Sequence, residues 1–250
     1  VAGVTSVSRG VALFAGAILA GTLYTPLLMR RRLPSAINTA ARTIEWRQWM
    51  LIAVPILVGM SSKLIMNKAD ILMLAPLAGL EQSGLYGAAV RITFLLTFPQ
   101  VVVMSVVTPM IAQAYADGNA ARVGRLMRRA LLFAALTAAP FALGLVLAPG
   151  PILALLFGEA FRAAAPVLML LAFGQLASGL AVPLQSGLTM GGRERAFGAL
   201  NLGGLALHIG LNLLLIPRFC AMGAALSTVV ISTSIALGLL FLNRSIVFRR

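Results

Sequence analysis

Two stretches of the chain, Val11 to Met29 and Ala221 to Leu242, carry no charged residue at all. Each is long enough to cross about 30 Å of hydrocarbon at roughly 1.5 Å per helical residue. Composition points the same way: 60% of the residues are hydrophobic and 10% charged, where a soluble domain carries about a quarter charged residues. The expected fold class is an all-α polytopic membrane protein. A formal net charge of +14 would ordinarily suggest nucleic acid, but the basic residues sit in short loops between apolar runs rather than on one face. That pattern orients a membrane protein, so membrane lipids are the expected surroundings and nucleic acid is not an expected partner.

Hydropathy and charge interruptions divide the chain into about seven spans, placed at 11–29, 47–78, 81–116, 126–148, 164–187, 196–216 and 221–242. Two of these exceed one bilayer crossing, with Pro55, Pro99 and Pro109 available as kink sites. Between the first two spans, Arg30, Arg31 and Arg32 precede Ile37, Ala40, Ala41 and Ile44 at helical spacing, which predicts a short interfacial helix. Trp46 and Trp49 follow it, where indoles favour the headgroup boundary. The chain starts at Val1 and shows no secretory signal over its first residues, so it reads as part of a longer protein whose missing portion is N-terminal.

Lys and Arg in short loops are retained on the cytoplasmic side. One set of loops holds Arg30, Arg31, Arg32, Arg42, Arg47, Arg122, Arg125, Arg128, Arg129, Arg193, Arg195, Arg244, Arg249 and Arg250, whereas the alternate set holds Arg9, Arg162 and Arg218. The C-terminus is therefore expected in the cytoplasm, with Glu81, Glu159 and Arg218 on the opposite side.

Four ionisable residues remain inside spans: Lys63, Lys68, Asp70 and Arg91. Burying each in lipid costs about 2.5–3.5 kcal/mol even on the lenient insertion scale. Lys63, Asn67 and Asp70 recur at i, i+4 and i+7, which makes one polar stripe on a helix, while Lys68 points about 140° away from Lys63. Asp70 and Arg91 lie at similar distances either side of the turn near Gly79, so an Asp70–Arg91 ion pair across antiparallel helices is the expected structural arrangement. Lys63 has no acidic partner in view. Either it faces a wet cavity where an anionic substrate neutralises it, or it packs on an acid outside this sequence. Gln100, Gln175, Gln185, Asn201 and Asn212 fit cavity lining or interhelical hydrogen bonds equally. His208 precedes Asn212 by one turn, a spacing that suits a proton or cation site as well as simple packing.

The single cysteine, Cys220, excludes an internal disulfide framework and multi-cysteine metal sites. No Walker A loop, Cys/His cluster or intramembrane carboxylate pair is present, so neither a cofactor nor an enzymatic activity is expected.

The run Gly84, Leu85, Tyr86, Gly87, Ala88, Ala89, Val90, Arg91 resembles a helix start found in polysaccharide exporters of the multidrug, oligosaccharidyl-lipid and polysaccharide flippase superfamily. Further similar segments follow in order: Leu155 to Gly158 with Phe161 and Ala164, then Gly191 to Arg193, then Asn212 to Pro217 with Phe219 and Gly223 to Ala225. Cys220 departs from the pattern, since the family usually has glycine there. The resemblance spans Arg47 to Leu242. It implies two six-helix lobes around a cavity that opens alternately to either side, with 1–29 as the last helix of the N-terminal lobe, 30–46 as a cytoplasmic linker and 47–250 as the C-terminal lobe. It also implies flipping of an undecaprenyl-diphosphate-linked oligosaccharide across a bacterial inner membrane, with possible H+ or Na+ coupling; the intramembrane cations Lys63 and Arg91, with Asn67 on the stripe of Lys63, are the residues expected to meet such a diphosphate. The sign of the cavity charge favours this anionic cargo over the superfamily's alternative, a cation-coupled multidrug antiporter. A membrane-embedded transferase would need an acid or histidine cluster near one interface, which the sequence lacks.

Overall fold

The computed structural model describes residues 12–25 and 45–247, and all the regular elements among them are helices. The chain divides into two compact units, Val1–Trp46 and Arg47–Arg250. In the first, α1 (Ala12–Thr25) is a short apolar helix. The hydroxyls of Thr22 and Thr25 donate to carbonyls one turn back, so neither polar group is left unpaired in an apolar helix. The interfacial helix expected within 30–46 falls outside the described residues, as do Arg9, Arg30, Arg31, Arg32, Arg42, Arg249 and Arg250.

In chain order the remaining elements are α2 (Trp46–Ala78), α3 (Leu80–Phe94), a 3-10 turn (Leu95–Thr97), α4 (Phe98–Ala116), α5 (Ala120–Leu147), α6 (Pro149–Phe157), a 3-10 segment (Glu159–Ala164), α7 (Ala165–Met190) and α8 (Glu194–Val247). Five helical segments are long and apolar enough to cross a membrane: Trp46–Ala78, Leu80–Ala116, Ala120–Leu147, Glu159–Met190 and Glu194–Val247. The protein is a multi-pass, all-helical membrane protein.

Local chemistry sets the breaks. Gly79 at φ 92° and Gly158 at φ 100° occupy backbone regions that a side chain disfavours, and each ends a helix. Pro99, near the start of α4, has no N–H to continue the ladder from α3, and the 3-10 turn falls just before it. Asn119 accepts from the backbone N–H of Arg122 at 2.9 Å, a side-chain cap that starts α5 at Ala120, ahead of the apolar run expected from 126. The first turns of α5 therefore carry Arg122, Arg125, Arg128 and Arg129. α6 lies where the sequence reads as a connection. Pro149 opens it, and at nine residues it is too short to cross about 30 Å of hydrocarbon.

The last segment is two helices broken at Cys220, whose φ of 49° and ψ of −132° are non-helical. Asn212 and Thr228 would stand ~24 Å apart along an unbroken helix, yet both bond the Asp70 carboxylate. The arms before and after Cys220 therefore fold back on each other, as the expected spans 196–216 and 221–242 require.

Two apolar cores occupy the two ends of the bundle. One gathers Leu74, Tyr86, Leu145, Leu153, Leu168 and Ile216. The other gathers Ile111, Met127, Leu184, Leu188, Ile231 and Leu239. The second end is tied by long-range hydrogen bonds: Tyr115 Oη donates to the Gly187 carbonyl at 3.0 Å, Arg128 to that of Val247 at 2.6 Å and Arg193 to that of Leu242 at 2.6 Å. α2 crosses the first arm of α8 at Gly198, where a Cβ would stand 2.6 Å from the Pro55 carbonyl oxygen. Only glycine admits that approach, which holds the polar stripe of α2 against the bundle. The opposite side of α2 exposes Leu51, Leu57, Leu64 and Leu72, as a helix bordering lipid should.

Candidate functional site

Between the two cores lie two adjoining cavities, both bordered by Met66, Asn67 and Ser178. The larger, of about 100 Å³, also meets Asp70, Tyr86, Gln175, His208 and Thr228. The smaller, of about 50 Å³, also meets Lys63, Gln185, Asn201 and Ser232. The stripe Lys63, Asn67, Asp70 thus borders both cavities on one face of α2, as helical spacing requires. Ser178 of α7 donates to Ser232 of α8 at 3.1 Å beside them.

Asp70 is buried, and its carboxylate is almost fully engaged. Oδ2 accepts from Tyr86 Oη at 2.6 Å and from Thr228 Oγ1 at 2.8 Å, while Oδ1 accepts from Asn212 Nδ2 at 2.7 Å. At that distance from a carboxylate only the amide nitrogen of Asn212 fits, so its oxygen points elsewhere and meets no partner among the described residues. His208 Nε2 stands 2.9 Å from Oδ1. The contact is close but does not meet hydrogen-bond geometry, and neither ring nitrogen has a hydrogen-bond partner among the described residues. These ligands come from α3 and from both arms of α8, so one carboxylate joins three helical segments to α2.

The expected Asp70–Arg91 pair does not form. Arg91 is exposed on α3 and pairs with no acid among the described residues. Similar depth is not enough: Tyr86 and Val90 turn toward the larger cavity, and Arg91 is rotated away from them on the same helix. Lys63 is half-buried, and its ammonium donates to Gln185 Oε1 at 3.2 Å. Lys68 is exposed on the other side of α2. Of the remaining intramembrane amides, Asn201 donates to the Phe197 carbonyl of its own helix, Gln175 borders the larger cavity and Gln100 is buried against Gly179. The convergence of Tyr86, His208, Asn212 and Thr228 on Asp70 is not among the contacts expected from sequence. The signal was the coincidence of one intramembrane acid, one histidine and an asparagine a turn from it, but only the fold shows that they meet.

A helical bundle that crosses the membrane repeatedly and holds a polar, ionisable row at its centre has the construction of a membrane transporter. Residues 55–214 match the MatE family model, and the chain belongs to the MatE family, whose members are transporters of the multidrug, oligosaccharidyl-lipid and polysaccharide exporter superfamily. Comparison with curated proteins finds no match.

Proposed function

We propose that the chain flips an undecaprenyl-diphosphate-linked oligosaccharide across the bacterial inner membrane, with 47–250 as the C-terminal six-helix lobe of a two-lobe transporter. In this reading 1–29 is the last helix of the first lobe and 30–46 the cytoplasmic linker. The carrying observation is Lys63. Its ammonium lies in a membrane span beside a cavity with no acidic residue on its wall, and its one bond goes to the neutral Gln185. A cation placed so in low dielectric is stabilised by an anionic ligand, and a lipid diphosphate supplies one. Asn67, which borders both cavities, adds an amide for the sugar or phosphate oxygens. Arg91, exposed on α3 and without an acidic partner among the described residues, is a second cation offered to the head group from outside the two cavities. The polyprenyl tail stays in lipid because hydrating it costs about 0.8 kcal/mol per CH₂. The basic turns carrying Arg122, Arg125, Arg193 and Arg195 face the cytoplasm, as does the C-terminus, and Glu81, Glu159 and Arg218 face the periplasm.

A second reading, a cation-coupled multidrug antiporter, draws on Asp70, the acid on the wall of the larger cavity. Three hydrogen bonds already fill most of the roughly four acceptor sites of that carboxylate, however, whereas no acidic side chain lines the cavity beside Lys63. The discriminating experiment measures flipped lipid carrier and drug resistance in cells that depend on this protein. The flippase reading expects Lys63→Ala with Arg91→Ala to lower flipping at least tenfold at unchanged membrane abundance, with drug resistance unaffected. Full flipping in that double variant would return the antiporter to the front.

A further inference from the structure

α7 lends side chains to both cavities: Gln175 and Ser178 border the larger, Ser178 and Gln185 the smaller. Its hydrogen-bond ladder is interrupted between them. Pro183, buried inside the helix, has no N–H, so the carbonyl of Gly179 four residues back loses its helical donor. In a membrane span a carbonyl freed in this way has no bulk water to turn to, and a neighbouring helix or an ordered water must satisfy it.

α4 brings a donor to that point. Gln100 is buried, and its Nε2 has no hydrogen-bond partner among the described residues. The amide lies where a Cβ on residue 179 would stand, so glycine is what leaves room for it. A further cavity, of about 10 Å³, is walled by Gln100, Gly179 and Pro183, and the rest of its wall is apolar. That is about the room one water needs. A donor lacking an acceptor, an acceptor lacking a donor and a space for one water thus meet in one place.

We infer that Gln100 is a positioning residue: through one water in that cavity, its amide supplies the Gly179 carbonyl with the donor that Pro183 removes, and so braces the break in α7. This pairing also accounts for a primary amide in an otherwise apolar contact of α4 with α5 and α7, where an unpaired one is costly. The break falls between Ser178 and Gln185. Its angle therefore decides how Gln185, which accepts from Lys63 at 3.2 Å, stands relative to Gln175 and Ser178. Gln100 borders neither of the two larger cavities, so it acts on them through α7. The consequence for cargo rests on the lipid-carrier reading; the bracing of α7 does not.

A brace and an unpaired amide respond oppositely to the same substitution. If the amide has no partner, Gln100→Leu removes a buried donor and stabilises the protein whatever stands at 183. If it braces the break, Gln100→Leu strips the carbonyl of its donor, whereas in Pro183→Ala the restored N–H bonds Gly179 and Gln100 is no longer needed. The full chain is purified into lipid nanodiscs as wild type, each single variant and the double variant. Gln100→Leu is expected to lower the unfolding midpoint by at least about 2 °C. It should also speed amide hydrogen exchange at Leu184 to Gly187 by at least about tenfold. Both effects are expected to vanish in the Pro183→Ala background. A raised midpoint in Gln100→Leu, equal losses in the two backgrounds, or exchange quickened throughout α4, α5 and α7 would overturn the brace. Should Gln100→Leu fail to accumulate, recovery in the double variant supports the brace and failure of both overturns it. No carrier enters this measurement, so loss of the lipid-carrier reading would leave its result standing.

Discussion

Asp70 and Lys63 lie two turns apart on one face of α2, and the bundle treats them oppositely. Asp70 is enclosed by three hydrogen bonds and an imidazole drawn from α3 and both arms of α8. Lys63 has one neutral partner from α7 and otherwise looks onto a cavity. A buried charge is tolerable only when something compensates it. For Asp70 the compensation is built into the fold, whereas for Lys63 the fold supplies only Gln185 and the proposed function assigns the rest to the ligand. The contrast separates a group that holds helices together from one that, on the proposed function, meets the cargo, and it makes different predictions for the two.

The largest effect is expected at Asp70. Asp70→Ala leaves Tyr86, Asn212 and Thr228 without their acceptor and should cost about 3–5 kcal/mol, seen as a large fall in the thermal unfolding midpoint and in membrane abundance. Lys63→Ala removes one neutral contact and should change stability by no more than about 1 kcal/mol. Equal losses at the two positions would break the comparison. Tyr86→Phe sharpens it: deleting one hydroxyl that donates to the carboxylate should cost about 1.5–3 kcal/mol without affecting ligand binding at Lys63. The smallest effect is at the break in α8. Cys220 holds a positive φ, which a side chain disfavours, so Cys220→Gly should stabilise the protein by about 1 kcal/mol, measured by the same unfolding assay. Destabilisation there would mean that the thiol contributes contacts that outweigh the strain.

Much of the fold was legible in the sequence because lipid imposes a simple rule on length and charge: the uncharged runs and the basic loops between them mark the helices to within a few residues. Gly79, Gly158 and Asn119 fix breaks that hydropathy alone blurs, and α6 went unread because Pro149–Phe157 is apolar yet too short to register as a span. The polar stripe of α2 was equally legible, since it depends only on helical period. The partners of Asp70 were not. Depth arithmetic chose Arg91, but rotation about α3 decides which side chain turns inward, and that depends on packing of Tyr86 into the core rather than on distance from the turn. His208 and Asn212 are remote from Asp70 in sequence, and Thr228, beyond Cys220, reaches the same carboxylate only because α8 folds back there.

The central claim is that Lys63 holds an anionic head group. The most direct measurement compares how tightly purified wild type and Lys63→Gln protein bind a polyprenyl diphosphate and the corresponding uncharged polyprenol. The substitution is predicted to weaken diphosphate binding at least about tenfold, a loss of about 1.4 kcal/mol, and to leave polyprenol binding unchanged. Equal affinity of wild type and variant for the diphosphate would contradict it.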